Sequence, residues 1–164
     1  MMDHLHPSAQ KTMKNLLSPW KLKGFFWTQL PSLFFWKVRV DYLDADRAEV
    51  SVPFNRNTKN PFQSIYFAAQ TGAAELSTGI LALIAIEGRG KVSMLVTEMK
   101  SSFYKKAKGK IVFRCEEGKA VFDCITKAIE TGEAQKLIMI SEGKNETGEL
   151  VTRVEIEWSF KSKG

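Results

Sequence analysis

Histidine is nearly absent from this chain: it has two, His4 and His6, both within the first six residues. That leaves little room for imidazole-based metal sites or for Ser–His and Cys–His nucleophilic pairs, unless the N-terminus folds back onto the domain. Cysteine is as scarce. Cys115 and Cys124 are the only two, and their spacing fits neither a zinc knuckle nor a redox CxxC. They read as small buried hydrophobes. No secretory leader pattern opens the chain, so the expected compartment is a reducing cytoplasm. Internal repeats, low-complexity segments and an interdomain linker are also missing.

What is present describes one folded domain. The 164 residues include 44% hydrophobic and 26% charged side chains, enough apolar content for a real core. The net charge of +6 favours an anionic partner: a nucleic acid, an anionic membrane surface or a phosphate-bearing ligand. No RNA-binding motif and no helix-turn-helix with a basic face accompanies that charge, so nothing beyond the sign supports nucleic acid.

The longest apolar stretch is NPFQSIYFAAQTGAAELSTGILALIAIE, Asn60 to Glu87. Asn-Pro is turn chemistry, and Ser64 is the expected N-cap of a helix running from Ile65 to Ile86. Such a helix is apolar or small on nearly every side, so it should be buried all round. Its small residues, from Ala68 to Ala85, allow strands close to its backbone. Gln70, Thr71 and Glu75 are the polar exceptions, and a buried carboxylate needs a reason. The length would also span a bilayer, but the flanking segments are half-buried strands that need an apolar element to cover.

Those segments come in order. Residues Ser8 to Leu30 predict two short helices around Pro19, aromatic-rich and basic; this arm either lies on a membrane surface or packs across the sheet or a subunit interface. From Trp36 the period becomes two, predicting a hairpin of Trp36–Tyr42 with Ala48–Phe54. Gly88 and Gly90 end the long helix. Val92–Tyr104 has apolar residues on both faces and predicts a central strand. A lysine-rich tip, KKAKGK, precedes a strand over Lys110–Glu116. Val121, Phe122, Ile125, Ala128 and Ile129 form a helical stripe ended by Gly132, and Ala134–Ser141 with Leu150–Phe160 form a final hairpin. The predicted class is α+β: a curved antiparallel sheet wrapped around one long central helix, with an N-terminal arm over residues 1–34 and a single domain over 35–164.

This order resembles the hot-dog fold. More narrowly, Pro53 closing the second strand, Asn60, and the run SIYFAAQTGAAEL resemble an uncharacterised hot-dog family related to the phenylacetate-type acyl-CoA thioesterases. The shared pattern is an Asn, a small or hydroxyl residue four positions on, an aromatic, small residues, and a Glu fifteen positions after the Asn. Asn60, Ser64, Tyr66 and Glu75 hold those places. The turn before the helix departs from the enzymes' usual glycine-containing pair, reading Pro61-Phe62-Gln63.

The resemblance implies an acyl thioester, with coenzyme A part of the substrate and no separate cofactor or metal, in a homodimer or dimer of dimers. The thioester carbonyl would meet backbone N–H groups near Ser64, Ile65 and Tyr66 at the positive end of the helix. Glu75 would act as general base or nucleophile, often across the subunit interface, and Asn60 would orient carbonyl or water. Gln70 and Thr71 would share its face. Lys105, Lys106 and Lys108 would take the phosphates of coenzyme A. Plainer roles are also open: a structural carboxylate for Glu75, turn capping for Asn60, a solvated tip for the lysines. A non-catalytic acyl or lipid binder is the alternative function.

Overall fold

The computed structural model describes residues 5–163. His4 lies outside them.

Three prolines open three successive helices: α1 (Pro7–Leu17), α2 (Pro19–Gln29) and α3 (Pro31–Trp36). At the first helical position proline's fixed φ is helical and its missing N–H had no partner to lose. The arm therefore holds three helices, where two were expected, because Pro31 restarts a helix as well as ending one. Trp36 closes α3 and does not begin a strand. Lys37 stops the helix in the left-handed conformation at φ 59°, its N–H returning to the Leu33 and Phe34 carbonyls. His6 caps α1, its Nδ1 accepting from the Ser8 N–H at 3.3 Å, and its ring packs over Gly88. The chain at His6 thus packs back onto the end of α4, and the His6 ring is occupied there.

The remaining elements are β1 (Arg39–Leu43), β2 (Ala48–Pro53), α4 (Phe67–Ile86), β3 (Val92–Phe103), β4 (Lys110–Cys115), α5 (Gly118–Thr131), β5 (Gln135–Lys144) and β6 (Leu150–Ser162). All six strands form one curved antiparallel sheet in the order β1-β2-β4-β5-β6-β3. A register shift between Val40 and Tyr42 turns Leu43 into the core and leaves Tyr42 outside. An inserted residue flips the facing of everything after it.

β3 lies at the sheet edge, paired only with β6, and is not the central strand its pattern suggested. Apolar residues on both faces cannot distinguish a covered strand from an edge strand with an exposed apolar face, and Leu95 is 64% exposed. Its neighbour β6, paired on both sides by β5 and β3, is the strand whose Val154, Ile156, Trp158 and Phe160 alternate inward as expected.

The sheet wraps α4, against which α5 and the arm also pack. Ala69, Ala73, Ala74, Leu81, Ala82 and Ala85 are buried, while a narrower stripe through Ala68, Thr71, Glu75, Gly79 and Leu83 is only partly covered. Small side chains set the approach distances. A Cβ on Gly72 would sit 3.0 Å from the Trp36 ring of the arm, and one on Gly79 would sit 3.5 Å from Trp158. The helix has the length and composition to cross a membrane, but its apolar sides are buried within the domain. Its buried hydroxyls are matched: Ser77 meets Ser141 on β5 at 2.7 Å, and Trp158 Nε1 donates to Thr78 at 2.9 Å. After α4, the Arg89 guanidinium lies over Phe122 and donates to Thr126, tying the end of α4 to α5. Gly132, at φ 70°, caps α5.

Candidate functional site

The chain approaches α4 through a loop that Asn60 holds together. Its side-chain oxygen accepts from the Phe62 N–H at 3.0 Å and from the Ser64 N–H and hydroxyl, each at 3.2 Å. Its backbone N–H donates to the Ser64 carbonyl, closing the turn at 2.9 Å. The Asn60 carboxamide oxygen is thus committed to loop geometry, the turn-forming role open to any such Asn. Ser64 is not the helix cap, because its hydroxyl is taken by Asn60 and the cap position falls on Tyr66, which makes no side-chain cap bond. Gln63 stands in the left-handed region at φ 57°. The backbone conformation that suits glycine is therefore present in this turn, carried by a glutamine.

The expected amide donors are spent. The Ser64 N–H goes to Asn60, the Ile65 N–H to the Ala107 carbonyl at 2.9 Å, and the Tyr66 N–H to the Thr58 carbonyl at 2.6 Å. The helix proper starts two residues beyond the expected place, at Phe67. Ala69 and Gln70 donate to the Tyr66 carbonyl. Among the described residues no protein acceptor meets the N–H of Phe67 or Ala68. Those two are the groups at this end still able to stabilise an anionic oxygen, since a helix's first N–H groups have no partner within the helix.

A cavity of about 580 Å³ opens here, lined by the Asn60–Phe67 loop, Gln70, Phe103, Tyr104, Lys105, Lys106 and Ala107. Phe62, Tyr66, Phe67, Phe103 and Tyr104 give it five aromatic side chains. Phe62, 73% exposed, stands at the mouth. Of the residues expected to bind substrate, Ser64, Ile65, Tyr66 and Gln70 line the cavity and Thr71 does not. Gln70 does so as a strut: it is buried, donates to the Ile65 carbonyl at 2.8 Å and accepts from Thr152. It does not share Glu75's face. Thr71 does, but its hydroxyl donates to the Phe67 and Ala68 carbonyls of its own helix. Lys105 pairs with Glu149; Lys106 lines the cavity; Lys108 stands outside it.

Glu75 lies on the less-covered stripe of α4, about two turns past Phe67. At 1.5 Å per residue its Cα is about 12 Å along the axis from Phe67. Its carboxylate lies over Gly79 beside Trp158, and no hydrogen-bond donor meets it among the described residues. Burial holds its carboxyl above the ordinary carboxylate range. A structural carboxylate satisfied by hydroxyls within its own subunit is therefore not what is found. The single chain also does not bring Glu75 to the Phe67 and Ala68 amides.

Other chemistry is sparse. Cys115 is buried, which pushes its thiol up to about 12, far from a reactive thiolate. Among the described residues no three His, Cys, Asp or Glu side chains cluster as a metal site. Sequence reasoning missed Phe103, Tyr104 and Ala107 as cavity wall. The aromatic pair just before the lysine-rich tip was the available signal.

These features define an α+β protein with one antiparallel sheet around a central helix and an apolar cavity at that helix's N-terminal end. The chain belongs to the DUF4442 family, described as a domain of unknown function, which it matches over residues 20–160. No curated protein matches it. Among solved structures it is similar to a Pseudomonas aeruginosa protein described as of unknown function and a probable thioesterase. That likeness has 21% identity and a TM-score of 0.76 over 91% of this chain and 99% of the other. A thioesterase from Haemophilus influenzae matches with 13% identity and a TM-score of 0.62, over 88% and 91%. A second Pseudomonas aeruginosa thioesterase matches with 12% identity and a TM-score of 0.67, over 88% and 94%. At these identities the shared property is the fold.

Proposed function

We propose that this is a hot-dog-fold thioesterase, cytoplasmic and at least dimeric, that hydrolyses an acyl thioester such as an acyl-CoA at the N-terminal end of α4. The observation that carries the reading is the pair of unpartnered amides, Phe67 and Ala68, at a helix N-terminus bordering an apolar cavity. A thioester carbonyl seated there develops negative charge on oxygen when water attacks its carbon. The two N–H groups and the helix dipole stabilise that charge. A carboxylate takes the proton from the attacking water, the C–S bond breaks, and the thiolate leaves to be protonated. The products are a carboxylic acid and a thiol.

Glu75 is the carboxylate. Its distance from its own helix N-terminus favours action on the cavity of a second copy, so the working site joins one protomer's Phe67 to Glu75 of the partner subunit. The free edge of β3 and its exposed Leu95 suit such a pairing. Lys106 at the rim would meet the phosphates of coenzyme A.

Purified protein should hydrolyse at least one member of a panel of short, aromatic and long acyl-CoAs, and Glu75→Gln should abolish turnover while the fold stays intact. A panel without any rate above background would overturn the enzymatic reading. Non-catalytic acyl binding is the second reading. It is favoured by the commitment of Asn60 and of the Ser64–Tyr66 amides to the loop, and it predicts ligand-dependent thermal stabilisation without product.

A further inference from the structure

Helix α2 is apolar on both sides. Its inner side buries only Leu22 and Phe26, which are four residues apart. Its outer side presents Trp20, 82% exposed, and Trp27, 58% exposed, seven residues apart and so on one line along the helix. Gly24 lies between them with open space around its Cα. Phe25, Leu30 and Phe35 extend the exposed apolar surface, and Trp27 packs edge-on against Phe34. A second apolar line on a helix whose first line already packs inward is a face without a partner in the domain. This one is on the outside of the domain.

The charge carried by the arm itself has one sign, and the carboxylate that meets it, Glu87, accepts from Thr12 on α1 at 3.1 Å. Between Asp3 and Asp41 there is no Asp or Glu, while Lys11, Lys14, Lys21, Lys23, Lys37 and Arg39 fall in that span. The rest of the chain balances its charges, so the whole net charge of +6 resides in the arm and its junction with β1. All six cations are exposed, and none forms an ion pair among the described residues. Lys21 and Lys23 flank the tryptophan line, and the Lys23 ammonium stands over the Trp20 ring. The Lys21 ammonium donates to the Asn15 side-chain oxygen at 2.8 Å, a neutral partner. Outward tryptophans and phenylalanines rimmed by lysines without a carboxylate partner match the water–lipid boundary. There the indole ring sits at headgroup depth and lysine reaches anionic phosphates.

We propose that the N-terminal arm is a peripheral membrane-docking surface, which lays α2 on an anionic bilayer with Trp20 and Trp27 inserted at headgroup depth and Lys21 and Lys23 on the lipid phosphates. Apolar insertion and charge attraction are two modest contributions that act together, so docking is reversible and sensitive to ionic strength. The arm is fastened to the domain at its other end. Asn57 Nδ2 donates to the Phe35 carbonyl at 2.9 Å, and Asn57 belongs to the loop leading to the cavity rim.

The test is co-sedimentation of the full-length chain with vesicles of phosphatidylcholine alone and of an equal mixture with phosphatidylglycerol. Pelleting with the anionic vesicles, release at high salt and a blue shift of tryptophan emission on binding are expected. A Trp20→Ala, Trp27→Ala double variant should lose about tenfold in vesicle affinity. A Lys21→Glu, Lys23→Glu variant should lose the preference for anionic lipid. Both should keep the parent Tm, because the substituted side chains are exposed. A chain that stays in the supernatant with both vesicle types overturns the proposal. So does a tryptophan double variant that binds vesicles like the parent, whether or not its oligomeric mass falls, since a fall in mass would assign the face to a second copy of the chain.

Discussion

The Thr152 hydroxyl of β6 donates to the side-chain oxygen of Gln70 on α4 at 2.5 Å, and both residues are buried. The other end of the same amide donates to the Ile65 carbonyl just before the helix. One side chain thus joins strand β6, the central helix and the loop that shapes the cavity. Gln70→Leu should remove both bonds and leave a buried hydroxyl and a buried carbonyl unpaired, costing about 1–3 kcal/mol for each unsatisfied group. Thr152→Val in the same background removes one orphan. In a double-mutant cycle by chemical denaturation it should recover part of the loss. Additive losses would mean the pair contributes nothing as a pair.

Gly118 opens α5 where the chain turns against the β1–β2 hairpin. A Cβ there would fall 2.0 Å from the Ala45 carbonyl oxygen and 2.6 Å from the Asp46 Cα, both backbone atoms. The Gly118 N–H also donates to the Asp46 carbonyl at 3.0 Å, so the two segments cannot part without losing that bond. Gly118→Ala should destabilise by about 1–3 kcal/mol, as overpacking does. Gly24→Ala, in open space within α2, should instead stabilise by about 0.5–1 kcal/mol. Opposite shifts in Tm for the same Gly-to-Ala change would check both.

Much of this architecture could be read from residue pattern. The end of α4 at Ile86 just before Gly88, the cap at Gly132 and the inward alternation of Val154 to Phe160 each follow from local chemistry, and each is found. Local pattern fails where a partner distant in the chain decides. Ile65 and Tyr66 are plausible amide donors until Ala107 and Thr58 bring their carbonyls to them. β3 reads as central because its exposed Leu95 and Met99 look like core residues. Gln70 and Glu75 are both polar residues on an apolar helix, and only the wrap of the sheet assigns one to β6 and the other to an open stripe.

Gln63 occupies a left-handed backbone position just before α4, with its N–H held by the Asn60 carbonyl at 3.1 Å. A side chain there costs about 1–2 kcal/mol. Glycine would relieve that, against about 0.5–1 kcal/mol for its greater freedom when unfolded. Gln63→Gly should hold or raise the Tm, and Gln63→Val, with a branched Cβ, should lower it. If glycine lowered the Tm as much as valine, the turn would be held by Gln63 side-chain contacts and not by its backbone.

Glu75 gives the pH dependence. Burial raises its carboxyl above the range it has in the unfolded chain. Below the unfolded value the group is neutral in both states and costs nothing. As pH rises through the folded value the folded protein must carry an ionised, half-buried carboxylate, and stability falls. Glu75→Gln should therefore raise the Tm at neutral pH, with the gain shrinking to nothing as pH falls below the ordinary carboxylate range. A gain of constant size across that range would mean that ionisation is not its source. The same raised carboxyl has to be ionised to accept a proton from water. The acidic limb of any hydrolytic pH–rate profile should then lie above the ordinary carboxylate range and disappear, together with turnover, in Glu75→Gln. Turnover that survives in the variant with an unchanged acidic limb would move the base elsewhere, while the stability prediction would stand on its own.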